Sequence, residues 1–133
     1  MLLALDGQCL ERLALPVALQ FCEGSAQRLD ILIAYAPKPA MSLLAGFLIE
    51  LERRGLDYRL TTTDRELSEE LAAYVHRARY VSVILLDCLE HWERERNPVL
   101  DSLRGEGYRV VSLLDHLEGA RTTYLSASRK EPA

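Results

Sequence analysis

The feature that most constrains the fold of this chain is a regular alternation of short apolar runs with longer stretches of helical period. Five strand-sized runs are present, at Met1 to Leu5, Leu29 to Tyr35, Asp57 to Thr62, Val81 to Leu86 and Tyr108 to Leu114. The fourth, VSVILL, is the most apolar and has the composition of a central parallel strand covered on both faces. Strands that alternate with helices are typical of a doubly wound α/β sheet with helices on both faces.

The stretches between these runs have the spacing of helices. Apolar residues recur from Leu10 to Phe21, and Pro16 predicts that this helix either begins near that residue or is kinked there. The second helix has an i, i+3, i+4, i+7 apolar stripe and ends at Gly55. The stripe consists of Leu44, Phe47, Leu48 and Leu51. These patterns place a crossover helix between each pair of successive early strands.

Two helix starts are indicated by capping residues. Thr63 and Glu66 have the spacing of a capping box, in which each side chain would accept a hydrogen bond from an unpaired main-chain amide. Asn97 and Pro98 are typical of an N-cap followed by the first helical residue. The segment from Cys88 to Glu95 is interpreted only as a polar stretch.

Length and charge limit the classes of function. The 133 residues suit one domain, with the α/β unit at 1–114 and a polar tail at 115–133. A net charge of −4 gives no basic footprint for nucleic acid or an anionic membrane. The apolar runs are too short to span a bilayer, and the first residues do not resemble a signal peptide. The expectation is a cytoplasmic protein with no nucleic-acid or membrane partner.

A site in such a fold is expected at the carboxyl ends of the strands, where the strand order reverses. Asp6 and Gly7 end the first strand, and Asp87 ends the fourth. Asp6 could contact a ribose or an adenine base, but an aspartate before a glycine is also ordinary turn chemistry, which is the interpretation that we favour. Asp87 faces the same choice.

Several short motifs resemble the universal stress protein family. They are the opening LLALDG at residues 2–7 with Ala14 and Ala18, the run LDILI at residues 29–33, and the helix from Leu67 to Ala78 before an apolar strand. The similarity covers residues 1–114. It implies a five-stranded parallel sheet of order 3-2-1-4-5, Rossmann-like and of the adenine nucleotide alpha hydrolase type, and a homodimer.

The resemblance also implies a nucleotide site that this chain matches only in part. In the ATP-binding branch of the family, an aspartate at the end of the first strand contacts the nucleotide, and Asp6 matches it. The glycine-rich stretch that wraps the phosphates has no counterpart, because no glycine follows Asp87 until Gly105. Converging main-chain amides need such glycines. Only Arg94 and Arg96 could face a phosphate there instead.

Other reactive residues give weaker patterns. Cys88 and His91 have a ligand-like spacing, but no second pair accompanies them, so we expect no metal site. Three cysteines without a CxxC motif predict free thiols, and Cys9 lacks the partner base of a nucleophile. Trp92 is predicted to cap the core or to anchor an interface.

Together these patterns predict a non-catalytic regulatory or adaptor module of the stress-response type, without a cofactor. We expect it to form a homodimer through strand 108–114 and to contact a protein partner. The alternative is an adenine-nucleotide-binding switch, or a weak nucleotide hydrolase, that uses Asp6 with Arg94 or Arg96. An enzyme of unrelated chemistry on the same fold has no positive support in the sequence.

Overall fold

The computed structural model describes residues 1–8, 10, 14–23, 28–87 and 89–113. In chain order the elements are β1 (Leu2–Asp6), α1 (Ala14–Glu23), β2 (Leu29–Ala34), α2 (Lys38–Arg53), β3 (Tyr58–Thr63), α3 (Leu67–Arg77), β4 (Val83–Leu86), α4 (Leu89–Glu95), α5 (Pro98–Gly105) and β5 (Arg109–Ser112). Leu114 and the predicted tail at 115–133 lie outside the described residues. None of the described helices combines the length and the apolar character needed to cross a membrane.

The five strands form one parallel sheet in the order β3-β2-β1-β4-β5. This confirms the predicted fold class and strand order. β1 lies at the centre, and its neighbours β2 and β4 are reached by crossovers in opposite directions. The carboxyl ends of β1 and β4 therefore border the crevice in which this type of sheet places its ligands.

The side chains of β1 alternate between two cores, one on each face of the sheet. Leu2 and Ala4 pack with buried residues of α3, α4 and α5. Leu3 and Leu5 pack with buried residues of α1 and α2. All four side chains are fully buried, as expected for a central strand covered on both faces.

Two predicted helix boundaries are confirmed. The buried stripe of α2 includes Leu44, Phe47 and Leu51, and Gly55 follows the helix with a φ of 69°. That left-handed conformation costs little without a Cβ atom. Asn97 caps α5, because its side-chain oxygen accepts a hydrogen bond from the Val99 N–H at 2.9 Å.

The capping box at Thr63 and Glu66 was wrong. β3 continues through Thr63, and α3 begins only at Leu67, with no side-chain hydrogen bond at its N-cap. The Thr63 hydroxyl instead accepts a hydrogen bond from the Arg65 N–H at 3.1 Å. Pairing of Thr63 with Ala34 of β2 keeps this residue in the sheet.

The described part of α1 starts at Ala14 and contains Pro16 as its third residue, near which this helix was predicted to begin or to be kinked. The segment interpreted as a polar stretch contains α4, because Leu89 and Trp92 lie three residues apart on one buried face.

Candidate functional site

The structure brings Asp6 and Asp87 together at the carboxyl ends of β1 and β4. The Asp6 N–H donates to both carboxylate oxygens of Asp87, at 3.0 Å to Oδ2 and 3.2 Å to Oδ1. Asp87 is buried, with 6% of its surface exposed, and its own N–H donates to the Ala4 carbonyl at 3.3 Å. The Asp87 carboxylate thus ties the end of β4 to the end of β1.

Asp6 and Gly7 form a tight turn directly after this contact. Asp6 Oδ1 accepts a hydrogen bond from the Gln8 N–H at 3.0 Å, which is the local turn chemistry of an aspartate. The Gly7 N–H donates to the Ala34 carbonyl of β2 at 2.7 Å. This turn draws the chain across the end of β2, where Tyr35 has a φ of 52°.

Arg94 lies in the last turn of α4, and Arg96 follows this helix with a φ of 54°. Arg94 and Arg96 are both exposed. Arg96 lines a separate surface cleft of about 180 Å³ beside Trp92 and Asn97.

The first turns after β4 are held by apolar packing. Leu89 and Trp92 are each only 5% exposed, and both belong to the core that α3, α4 and α5 share. Trp92 is therefore a core residue, one of the two roles predicted for it. A glycine-rich loop has successive main-chain amides free to converge on an anion, whereas the described part of this segment is helical, and in a helix only the amides of the first turn lack an intrahelical acceptor.

The electrostatic environment beside the turn is negative at Tyr35. Its hydroxyl donates to Glu66 at 3.3 Å. Burial, followed by the charge of Glu66 and then smaller effects of Asp6 and Glu69, raises the pKa of Tyr35 above its usual value. The negative charges of Glu66, Asp6 and Glu69 would also repel a polyphosphate bound at the same edge of the sheet.

Cys9 and Cys88 lie outside the described residues, so the structure bears only on Cys22. Cys22 is buried, and desolvation raises the pKa of its thiol to about 11. His91 lies on α4 and pairs with Glu95 at 2.8 Å. In the part of the chain that is described, no three histidine, cysteine or carboxylate side chains are grouped as metal ligands.

The buried thiol of Cys22 should react slowly with alkylating reagents in the native protein. Because the thiolate is the reactive form, we expect alkylation of Cys22 at pH 8 to be roughly 100-fold slower in the native protein than in denaturant. Peptide mapping by mass spectrometry after timed iodoacetamide treatment would measure Cys22 separately from the other cysteines. Equal rates in the native and denatured protein would contradict the burial of this residue.

One polar cluster, centred on Asp30 in β2, was not predicted from the sequence. Asp30 is fully buried, and its Oδ2 accepts hydrogen bonds from the hydroxyls of Tyr74, at 2.5 Å, and of Tyr80. Arg28 Nε lies 3.3 Å from Oδ1, which accepts no hydrogen bond from the described residues. Burial and the hydrogen bond to Asp30 raise the pKa of Tyr74 well above its usual range.

A signal for this cluster was present in the sequence. Asp30 is the one ionisable residue inside an otherwise apolar central strand, LDILIA. A buried charge needs a partner, so Arg28, two residues earlier and directly before the strand, was a candidate from spacing alone. The two tyrosines come from α3 and the turn after it, and nothing local connects them with β2.

No protein-family model matches the sequence, and no curated protein matches it. Among solved structures, the chain is similar to a crystal structure of a universal stress protein family member from Burkholderia pseudomallei. The two are 21% identical, with a TM-score of 0.54, and the similarity covers 84% of this chain and 92% of the other. The chain thus shares its five-stranded α/β fold with a universal stress protein, the fold that its sequence resemblance implied.

Proposed function

We propose that the chain is a non-catalytic regulatory or adaptor module that dimerises and does not hold ATP in the usual manner of universal stress proteins. The fold is the starting point, since the similar structure belongs to that family. Fold alone does not fix function, so the support comes from the contacts in the crevice and from the residues on the two edge strands.

The observation that carries the proposal is the contact between Asp87 and the end of β1. The buried carboxylate accepts the Asp6 N–H at 3.0 and 3.2 Å, so this main-chain amide is already paired at the start of the turn after β1. Asp6 Oδ1 is engaged by the Gln8 N–H. Both aspartates thus pair with main-chain amides, and Arg94 and Arg96 lie at the carboxyl-terminal end of α4.

Support for dimerisation comes from the character of the two edge strands. β5 carries Val110 and Val111, both only partly buried, beside one exposed arginine, Arg109. β3, at the opposite edge, has an exposed Arg59 and three threonines. Charged and polar residues on an edge strand oppose pairing with another chain, whereas an apolar edge favours it. β5 lies within 108–114, the segment predicted from the sequence to form the dimer interface.

The mass in solution and the nucleotide content test both parts of this proposal. We expect light scattering to give a dimeric mass, and we expect the denatured supernatant of the purified protein to contain no ATP. Added ATP at millimolar concentration should leave the melting temperature unchanged. A monomer that retains stoichiometric ATP would refute the proposal. A rise in melting temperature that Asp6→Ala abolishes would favour the nucleotide-switch alternative.

A matched pair of variants tests the position of the interface. Val111 in β5 and Leu60 in β3 are both partly buried residues of edge strands, and both pack against the α1/α2 core. Val111→Lys should convert the dimer to a monomer, whereas Leu60→Lys should leave it dimeric, at a similar cost in stability. The reverse result would assign the interface to β3.

A further inference from the structure

The second feature with the character of a site is a cleft at the amino-terminal end of the sheet, next to the edge strand β3. It has a volume of about 280 Å³ and is separate from the Asp6 turn. Its lining residues are Arg59, Thr61, Tyr74, Arg77, Ala78 and Tyr80. Two arginines, two tyrosines and one threonine thus line one small cleft, and aromatic surface with a few convergent polar groups is typical of small-molecule sites.

The topology explains why these residues meet. Arg59 and Thr61 are two residues apart on β3, so they point to the same face of the sheet. In the parallel register Arg59 is the partner of Asp30, and this places it on the face that packs against α3. Arg77 ends α3, and the turn that follows contains Tyr80.

The network around Asp30 fixes the floor of the cleft. Both tyrosine hydroxyls donate to Asp30, so the two rings are held with their polar ends pointing inward. Tyr80 nevertheless remains 54% exposed, although large aromatic side chains are usually covered. Arg28 Cζ lies over the Tyr80 ring, 5.5 Å from its centroid, so the opposite face of the ring is the one that a flat group could contact.

The positive charges at the cleft are only partly neutralised. Arg28 does not line the cleft, but its Nε lies 3.3 Å from Asp30 Oδ1 and offsets the charge of this carboxylate. Arg77 approaches Glu70 at only 3.7 Å and is 64% exposed. Arg59 has no ion pair with any other described residue and is exposed. Two guanidinium groups thus remain available to an anion in the cleft.

We propose that this cleft binds the oxyanion group, phosphate or carboxylate, of a small molecule with a flat apolar body. Arginine guanidinium groups match such groups with paired N–H donors, and they stack on aromatic rings. Arg77 already lies over the ring of Tyr74, with its Cζ 6.0 Å from the centroid. The Thr61 hydroxyl adds a donor, and the exposed ring of Tyr80 accepts the flat body by stacking.

Phenyl phosphate and benzoate are suitable probes, because each joins one kind of oxyanion to a flat ring. In a nuclear magnetic resonance titration at constant ionic strength, with sodium chloride as the reference, we expect shifts in the amides of residues 59–61 and 77–80. Binding of phenyl phosphate alone would identify a phosphate ligand, and binding of benzoate alone a carboxylate ligand. Either result supports an oxyanion site in the cleft.

Variants distinguish a formed site from general attraction to positive charge. Arg59→Gln and Arg77→Gln should each weaken binding about tenfold, the usual effect of losing a charge-assisted hydrogen bond. Arg53→Gln is the matched control, since Arg53 is an exposed arginine at the end of α2 on the other face of the sheet. Absence of shifts at tens of millimolar of both probes, or equal weakening by Arg53→Gln, would overturn the proposal.

Discussion

Replacement of Gly7 by alanine is expected to destabilise the protein by about 3 kcal/mol or more, because the added methyl group would overlap main-chain atoms. A Cβ atom at Gly7 would lie 1.8 Å from the Tyr35 carbonyl oxygen and 2.6 Å from its carbon. Side chains can rotate away from a clash, but the Tyr35 main chain is tied to β3, since its N–H donates to the Thr63 carbonyl at 3.0 Å. The turn after β1 would have to move.

That movement would also break the hydrogen bond from the Gly7 N–H to Ala34, which measures 2.7 Å. For a chain of this size the loss corresponds to a fall in melting temperature of about 10 °C. Differential scanning calorimetry would measure it. If the melting temperature of Gly7→Ala lies within about 2 °C of the wild-type value, the close approach of Gly7 to the Tyr35 main chain is wrong.

Gly46→Ala is the matched control for this substitution. Gly46 lies inside α2, and a Cβ atom there would have no neighbour within 4 Å. Alanine favours the helix over glycine by about 0.5 to 1 kcal/mol, so this variant should melt at a higher temperature than the wild type. Opposite effects of one identical chemical change would show that position, and not the methyl group itself, determines the cost.

The alternation of apolar runs and helical periods sufficed to predict the layers of the fold, because burial of one helix face leaves a periodic pattern and burial of both strand faces leaves a short continuous apolar run. The strand order came from the family resemblance and was confirmed, since alternation by itself does not say which strands are neighbours. Local signals were less dependable. Asn97 does cap α5, but Thr63 stays in β3 because its pairing with Ala34 outweighs a capping box.

The candidate site was predictable in position but not in chemistry. Asp6 and Asp87 were expected near each other because both follow central strands, and the structure does bring them together. No pattern indicated that Asp87 would accept the Asp6 N–H, since that contact joins residues 81 positions apart. The Asp30 cluster escaped prediction for the same reason, because Tyr74 and Tyr80 are 44 and 50 positions away.

Asp30→Ala should destabilise the protein by about 2 to 4 kcal/mol, because it leaves a buried tyrosine hydroxyl without its partner. Tyr74 is only 6% exposed, and its hydroxyl has Asp30 as its acceptor. The Arg28 side chain is 41% exposed and Tyr80 54%, so both can regain water, which keeps the loss below that of a fully buried ion pair. Urea unfolding followed by circular dichroism would measure the change in the free energy of unfolding.

Asp57→Ala provides the control, since Asp57 is an exposed carboxylate just before β3 and its replacement should change stability by no more than about 0.5 kcal/mol.

A double-mutant cycle of Asp30→Ala with Tyr74→Phe then measures the interaction energy between Asp30 and Tyr74. Once Asp30 is absent, removal of the Tyr74 hydroxyl no longer breaks the hydrogen bond to this carboxylate. The two changes should therefore be non-additive by about 1 to 3 kcal/mol, with the double variant more stable than the sum of the single losses predicts. Additive losses would mean that Asp30 and Tyr74 do not interact, and would remove the fixed floor on which the neighbouring cleft depends.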